Sequence, residues 1–237
     1  EHIAQLVLNR PEAGNAVNQQ LAQELDKICG QINQDSDIYV VTITGAGDKA
    51  FCCGGELEAE ELRYSPAGAI AGINCPVIAA INGDALGQGL ELALSCDIRL
   101  ASAQARFGLP QVAQGLIPLD GGTQRLPRIV GCGKALELLL TAETISAEEA
   151  LEIGLVSKVI PPEKLSGEVE ELAENLAGKG PVALRYIKEA VNKGLDMTLE
   201  QGLRLEADLY LLLQTTDDRT EGIKAFLEKR PPKFKGE

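Results

Sequence analysis

The sequence predicts an α/β fold with largely parallel strand pairing over residues 1–177, followed by an all-helical region over residues 178–237. Strand-like apolar runs recur between helical patterns up to about residue 160, as in chains of strand–helix–strand units. From about Pro162 the strand-like runs stop and helical periodicity alone continues. The 237 residues, 45% of them apolar, suffice for one large domain or for a core with a smaller appendage.

Ile3–Leu8 alternates in the manner of a strand. Leu21, Leu25, Ile28 and Ile32 recur at three or four residues and mark one face of a helix. Tyr39–Thr44, Val77–Ile81, Ile98–Ala101 and Val156–Val159 read as further strands. The stretch Glu58–Cys75 is acidic, then rich in Ala and Gly, and predicts a mobile loop or short helix over a site. Lys134–Leu140 reads as a short apolar helix, and Ala147–Ile153 as another, capped by Ser146 with Glu149 three residues on. Pro181–Asn192, Thr198–Thr215 and Asp217–Leu227 are amphipathic helices, with breaks at Gly178, Gly180 and Gly194. Leu199, Leu203, Leu205, Leu209, Leu212 and Leu213 make the middle one apolar enough to require packing on its own core or on another subunit.

The formal net charge of −13 opposes non-specific binding to nucleic acid or anionic membranes. Four Phe, four Tyr and no Trp leave little surface for base stacking. A polyanionic ligand must rely on local basic clusters, the densest being Lys224, Lys229, Arg230, Lys233 and Lys235, which also reads as a solvated tail. Six cysteines without a C-x-x-C pair, no signal-like start and no run of about 18 apolar residues predict reduced thiols and a cytoplasmic protein. His2 is the only histidine, which removes Ser-His-Asp, Cys-His and His-rich metal sites and leaves acid–base chemistry to carboxylates, water or backbone.

Two glycine-bearing turns stand out. Lys49-Ala50-Phe51-Cys52-Cys53-Gly54-Gly55-Glu56-Leu57 follows the strand Tyr39–Thr44, and its paired glycines either expose N–H groups to a ligand or form a plain tight turn. In the second, the strand Val77–Ile81 turns through Asn82-Gly83 into the apolar helix Gly87-Gln88-Gly89-Leu90-Glu91-Leu92-Ala93-Leu94. Glycine costs a helix interior about 1 kcal/mol relative to alanine, so two of them suggest that something approaches this N-terminus closely. The N–H groups there are unpaired and lie at the positive end of the helix dipole, a place for an oxygen anion. Glu91, the one carboxylate in Leu90–Leu94, is either catalytic or paired with Arg99, Arg106 or Arg125.

Taken together, Phe51–Leu57 and Ile81–Ala93 resemble the paired oxyanion-hole motifs of the enoyl-CoA hydratase/isomerase (crotonase) family. Asn9-Arg10-Pro11, Phe107-Gly108-Leu109-Pro110-Gln111, Gly121-Gly122-Thr123-Gln124-Arg125-Leu126-Pro127-Arg128, Glu152–Ser157 and Glu221–Arg230 extend the resemblance over nearly the whole chain. It implies a spiral of ββα units with a C-terminal helical region used in trimer formation, trimers pairing into hexamers. It also implies an acyl-CoA thioester whose carbonyl oxygen accepts from the N–H groups of Gly55 and Gln88. Arg10, Glu12, Ala13 and Gly54 would border the CoA, with C-terminal basic residues meeting its phosphates. No metal and no cofactor beyond the CoA of the substrate is called for.

Of the two glutamates used by the family's hydratases, the first matches Glu91, but the second position holds Gln111, which keeps hydrogen bonds and has no proton to exchange. Glu91 then acts alone with Gln111 orienting the water, or Asp120 contributes an acid, or the protein binds acyl-CoA without efficient turnover. The reading carried forward is hydration of a 2-enoyl-CoA, with an atypical cyclic or dienoyl thioester in view because Gln88 and Gln111 both alter the pocket. Double-bond isomerisation and a catalytically impaired acyl-CoA-binding homologue are the alternatives.

Overall fold

A computed structural model describes residues 2–55 and 64–237. In chain order the elements are β1 (Ile3–Leu8), α1 (Gln19–Gln34), β2 (Val40–Gly45), β3 (Ala50–Cys52), α2 (Pro66–Ala71), β4 (Val77–Ile81), β5 (Asp84–Leu86), α3 (Gln88–Ser95), β6 (Ile98–Ser102) and β7 (Arg106–Gly108). They continue with α4 (Gly122–Val130), α5 (Cys132–Thr141), β8 (Thr144–Ser146), α6 (Ala147–Glu152), β9 (Lys158–Ile160), α7 (Leu165–Ala177), α8 (Pro181–Gly194), α9 (Leu199–Leu213) and α10 (Asp217–Glu228).

The strands form two sheets. β1, β2, β4, β6 and β9 pair in that order, all parallel. The short strands β3, β5, β7 and β8 form the second sheet, parallel except for the β7–β8 pair. The consecutive pairs β2–β3, β4–β5 and β6–β7 each give one strand to each sheet, and α2 and α3 follow the first two pairs. This is the spiral of ββα units expected from the sequence.

The longer strands and α1 stand within a residue or two of their expected places, because five or six residues suffice to show a period. The strands of the second sheet were not foreseen; three residues carry no measurable alternation. Of the stretch Glu58–Cys75, Pro66–Ala71 is helical, started by Pro66 behind a Ser65 cap that accepts from the Gly68 N–H, and the part up to Arg63 lies outside the described residues.

One core fills the space between the sheets and helices α1–α5, with Phe51, Phe107, Leu90, Leu92 and Leu109 fully buried. A second core lies on the other face of the large sheet, where Leu165, Val169 and Ala173 of α7 cover Val40, Ile78, Leu100 and Ile160. α8 is tied to this body by Lys188, whose ammonium donates to the Asp97 carboxylate at 2.7 Å and to the Cys75 carbonyl at 3.0 Å. In α9 only Leu209 is buried, and Leu199, Phe226 and Leu227 are 79%, 82% and 74% exposed. Among the described residues no helix is long and apolar enough to cross a membrane.

Candidate active site

The first turn leaves β3 at Cys52 and is stitched to the N-terminal loop. The Cys53 N–H donates to the Gly14 carbonyl at 2.9 Å, and the Val17 N–H donates to the Gly54 carbonyl at 2.9 Å. Asn15, fully buried, holds that loop in shape: its amide donates to the carbonyls of Ala46 and Ala50, and its oxygen accepts from the Arg10 N–H. Arg10 reaches the Ala16 carbonyl through its guanidinium, and Pro11–Ala13 form one turn of 3-10 helix. Arg10, Glu12, Ala13 and Gly54 thus share one corner of the molecule, with Asn15 as its pivot. No local pattern in the sequence marks Asn15 for that role.

The second turn passes from β5 through Gly87 into α3. Gly87 has φ +53° and ψ −123°, a conformation that a side chain would oppose, and its N–H donates to the Gly108 carbonyl at 2.9 Å. Close approach explains the next glycine: a Cβ on Gly89 would sit 1.9 Å from the Cys52 carbonyl oxygen. α3 therefore lies directly against the end of β3, and the two turns meet. The Cβ position of Gly87 is 3.7 Å from the Gly54 Cα and 3.7 Å from Gln111 Nε2, and that of Gly55 is 2.1 Å from Gln88 Oε1. Neither the Gly55 nor the Gln88 N–H has a recorded protein acceptor among the described residues.

Glu91, one turn into α3, is 2% exposed. Its Oε1 accepts from the N–H groups of Asp120 at 2.7 Å and Gly122 at 2.8 Å. The pairing expected under the structural alternative is not made. Arg99 donates to the carbonyls of Ala93, Cys96 and Leu155, Arg106 to Asp84, and Arg125 to the Asp120 carbonyl. Burial pushes the Glu91 carboxyl above its usual range, the two N–H donors oppose that, the Asp120 charge reinforces it and Arg125 opposes it more weakly. Glu91 is therefore buried without an ion pair among the described residues and holds a proton more strongly than a free carboxyl does.

Gln111 follows β7 on a short 3-10 turn, Pro110–Gln114, and its Oε1 is buried with no hydrogen-bond partner among the described residues. A buried acceptor left open costs about 1–3 kcal/mol unless a donor meets it. The carboxylate of Asp120, considered from sequence as an extra acid, is turned to α2: it accepts from the Ser65 hydroxyl and from the Ala67 N–H at 2.8 Å. Its backbone, rather than its side chain, reaches Glu91.

The C-terminal basic cluster is partly committed as well, since Arg230 pairs with Glu221 and Glu228. His2 stacks on Tyr39, at 4.1 Å between ring centroids. All six cysteines are free thiols, and among the described residues no three His, Cys, Asp or Glu side chains gather as metal ligands.

A family model described as enoyl-CoA hydratase/isomerase matches residues 1–237. A crotonyl-CoA hydratase of Syntrophomonas wolfei is 44% identical over 99% of this chain and 95% of its own length. A short-chain-enoyl-CoA hydratase of Clostridium acetobutylicum is 41% identical over 96% of this chain and 92% of its own. The crystal structure of an enoyl-CoA hydratase from Bacillus anthracis superposes with a TM-score of 0.96 at 42% identity, covering 100% of this chain and 96% of that one.

Proposed function

The chain belongs to the enoyl-CoA hydratase/isomerase family, and from that premise we propose that it adds water across the 2,3 double bond of a 2-enoyl-CoA. The observation that carries the proposal is Glu91: a carboxylate buried without an ion pair among the described residues, one turn into the helix whose first residue, Gln88, lies against Gly55.

In this reading the thioester carbonyl oxygen lies between the Gly55 and Gln88 N–H groups, at the positive end of α3. Removing one such donor typically costs about 2.7–4 kcal/mol of transition-state stabilisation. Glu91 takes a proton from water as the water oxygen bonds to C3, and the π electrons move onto the thioester oxygen as an enolate. The enolate collapses, C2 takes the proton back from Glu91, and the carbonyl re-forms. Gln111 has no proton to give; its open Oε1 accepts from the other O–H of the attacking water and fixes its direction. Isomerisation would need no water and would leave that buried acceptor unused, so the orphaned oxygen favours hydration.

Arg10, Glu12, Ala13 and Gly54 border the CoA, which arrives with the substrate and is the only cofactor the reaction calls for. The exposed apolar residues Leu199, Phe226 and Leu227 support assembly of the chain with copies of itself, as a homotrimer or a hexamer of paired trimers. Six free thiols fit a reducing cytoplasm.

Following the conjugated-enoyl absorbance of crotonyl-CoA tests the activity. Loss of absorbance that disappears in Glu91→Gln supports hydration. Tight acyl-CoA binding without turnover over a panel of enoyl thioesters leaves the impaired binding homologue instead.

A further inference from the structure

We propose that Asp120, coupled to Ser65, is a positioning residue that fixes the Glu91 carboxylate for catalysis. The inference rests on the reading of Glu91 as the base of the hydration.

Glu91 reaches its place on a flexible side chain, and a base must be held within a fraction of an ångström to act. Two N–H groups, those of Asp120 and Gly122, hold Oε1 at 2.7 and 2.8 Å. Both belong to one turn at the start of α4, so the orientation of that turn sets the orientation of the carboxylate. Oε2 accepts no hydrogen bond from the described residues and is left for water.

The Asp120 side chain ties this turn to a separate part of the chain. One of its oxygens accepts from the Ser65 hydroxyl, 55 residues away in sequence, and the other accepts from the Ala67 N–H at 2.8 Å. The same Ser65 oxygen accepts from the Gly68 N–H at 3.0 Å and caps α2, so one hydroxyl serves both the helix and the turn. α2 in turn packs on α1 and α3. Arg125 closes the arrangement by donating to the Asp120 carbonyl at 2.8 Å. Asp120 is 8% exposed with both carboxylate oxygens engaged, so it sits where it can orient and not where it can exchange protons.

Charge and orientation make opposite demands, which separates them experimentally. The charged groups acting on Glu91 are Asp120, which disfavours its ionisation, and Arg125, which favours it. If Asp120 acted only as a charge, Asp120→Asn would ease ionisation and move the acid limb of kcat/KM to lower pH. If Asp120 aligns the two N–H donors, loosening the turn weakens the bonds that favour the ionised form. The limb then moves to higher pH.

Ser65→Ala leaves the Asp120 charge in place and removes the latch together with the α2 cap. With crotonyl-CoA, Ser65→Ala is expected to lower kcat about tenfold with KM unchanged and to move the acid limb upward, and Asp120→Asn to do so more strongly, by up to about a hundredfold. Ser65→Thr, which keeps the hydroxyl, is expected to restore the parental profile.

A Ser65→Ala variant with parental kcat and pH profile, whatever its melting temperature, overturns the proposal. So does an Asp120→Asn variant whose acid limb moves down with kcat intact. A parent protein whose turnover survives Glu91→Gln refutes the underlying reading instead. Parental turnover that needs Glu91 but ignores Ser65 refutes this inference alone.

Discussion

The contact between α3 and β3 sets the distance between the two turns, and Gly89→Ala tests it. An alanine Cβ at this position would sit 1.9 Å from the Cys52 carbonyl oxygen, 2.7 Å from its carbon and 2.8 Å from the Cys52 Cβ. Backbone carbonyls do not rotate aside, so the helix must retreat. Opening 1.9 Å to the 3.0 Å that real Cβ atoms respect takes a shift of about 1.1 Å. A misplacement of about 1 Å in an oriented site can cost about a hundredfold in rate. Overpacking of this kind destabilises by about 1–3 kcal/mol, more than the gain of up to about 1 kcal/mol from replacing glycine in a helix. Gly89→Ala should therefore hydrate crotonyl-CoA about a hundredfold more slowly and melt at a lower temperature. Gly133→Ala is the control: it lies in α5 with nothing within 4 Å of its Cβ position, and should be neutral or slightly stabilising. If Gly89→Ala keeps parental kcat, the close approach of α3 to β3 does not set the geometry of the Gly55 and Gln88 amides.

Glu91→Gln should lower kcat by about 10²–10⁴-fold and yet raise the melting temperature at neutral pH. Its folded-state pKa is raised above the usual 4.5, so the stability linked to its protonation is present below that value and lost as pH rises through the folded pKa. The neutral variant avoids that loss, and its advantage in thermal unfolding should shrink as the pH falls; an advantage independent of pH would contradict the assignment. Gln111→Leu removes a buried acceptor that has no partner among the described residues, and should gain about 1–2 kcal/mol in denaturant unfolding while hydration slows about tenfold or more. If it loses both stability and nothing in kcat, Gln111 is a packing residue. Gln88→Gly removes the side chain lying against Gly55 and should raise kcat/KM for a 2-methyl-branched enoyl-CoA relative to crotonyl-CoA; an unchanged ratio in competition assays would show that Gln88 does not shape the acyl pocket.

What could be read from the sequence follows from how far its physical signals extend. β1, β2, β4 and β6 each span five or six mostly apolar residues, and α1 shows a clear 3.6-residue stripe ending in buried Ile32. β3, β5 and β7 carry three residues each and owe their pairing to the spiral, a long-range cause that no local window contains. α4 escaped because Gly121, Gly122 and an internal Pro127 make its sequence read as a turn; neither proline nor glycine prevents a short helix that is packed on α3 and α5. In the site, Gly87 and Gly89 announced themselves as glycines that weaken a helix without local reason, and Glu91 as a charge in an apolar run. The Ser65–Asp120 pair was not visible, because nothing at either residue signals that the other lies beside it. The backbone role of Asp120 was hidden for a stronger reason: a main-chain N–H is the same in every residue but proline, so its use as a donor leaves no trace in sequence.

The same distinction bears on how one carboxylate can serve a reaction that moves a proton twice. A second carboxylate would divide the work between two groups; with Gln111 in that place, the proposed hydration routes both the proton leaving water and the proton reaching C2 through Glu91. That demands a carboxylate of intermediate proton affinity whose orientation does not change between the two transfers. Burial raises the affinity of Glu91, while the Gly122 and Asp120 N–H donors oppose the rise and pin one oxygen, so that the other accepts no hydrogen bond from the described residues. The same two hydrogen bonds therefore temper the affinity and fix the orientation. Loosening the turn that supplies them should disturb both at once, whereas replacing Gln111 leaves those two hydrogen bonds in place.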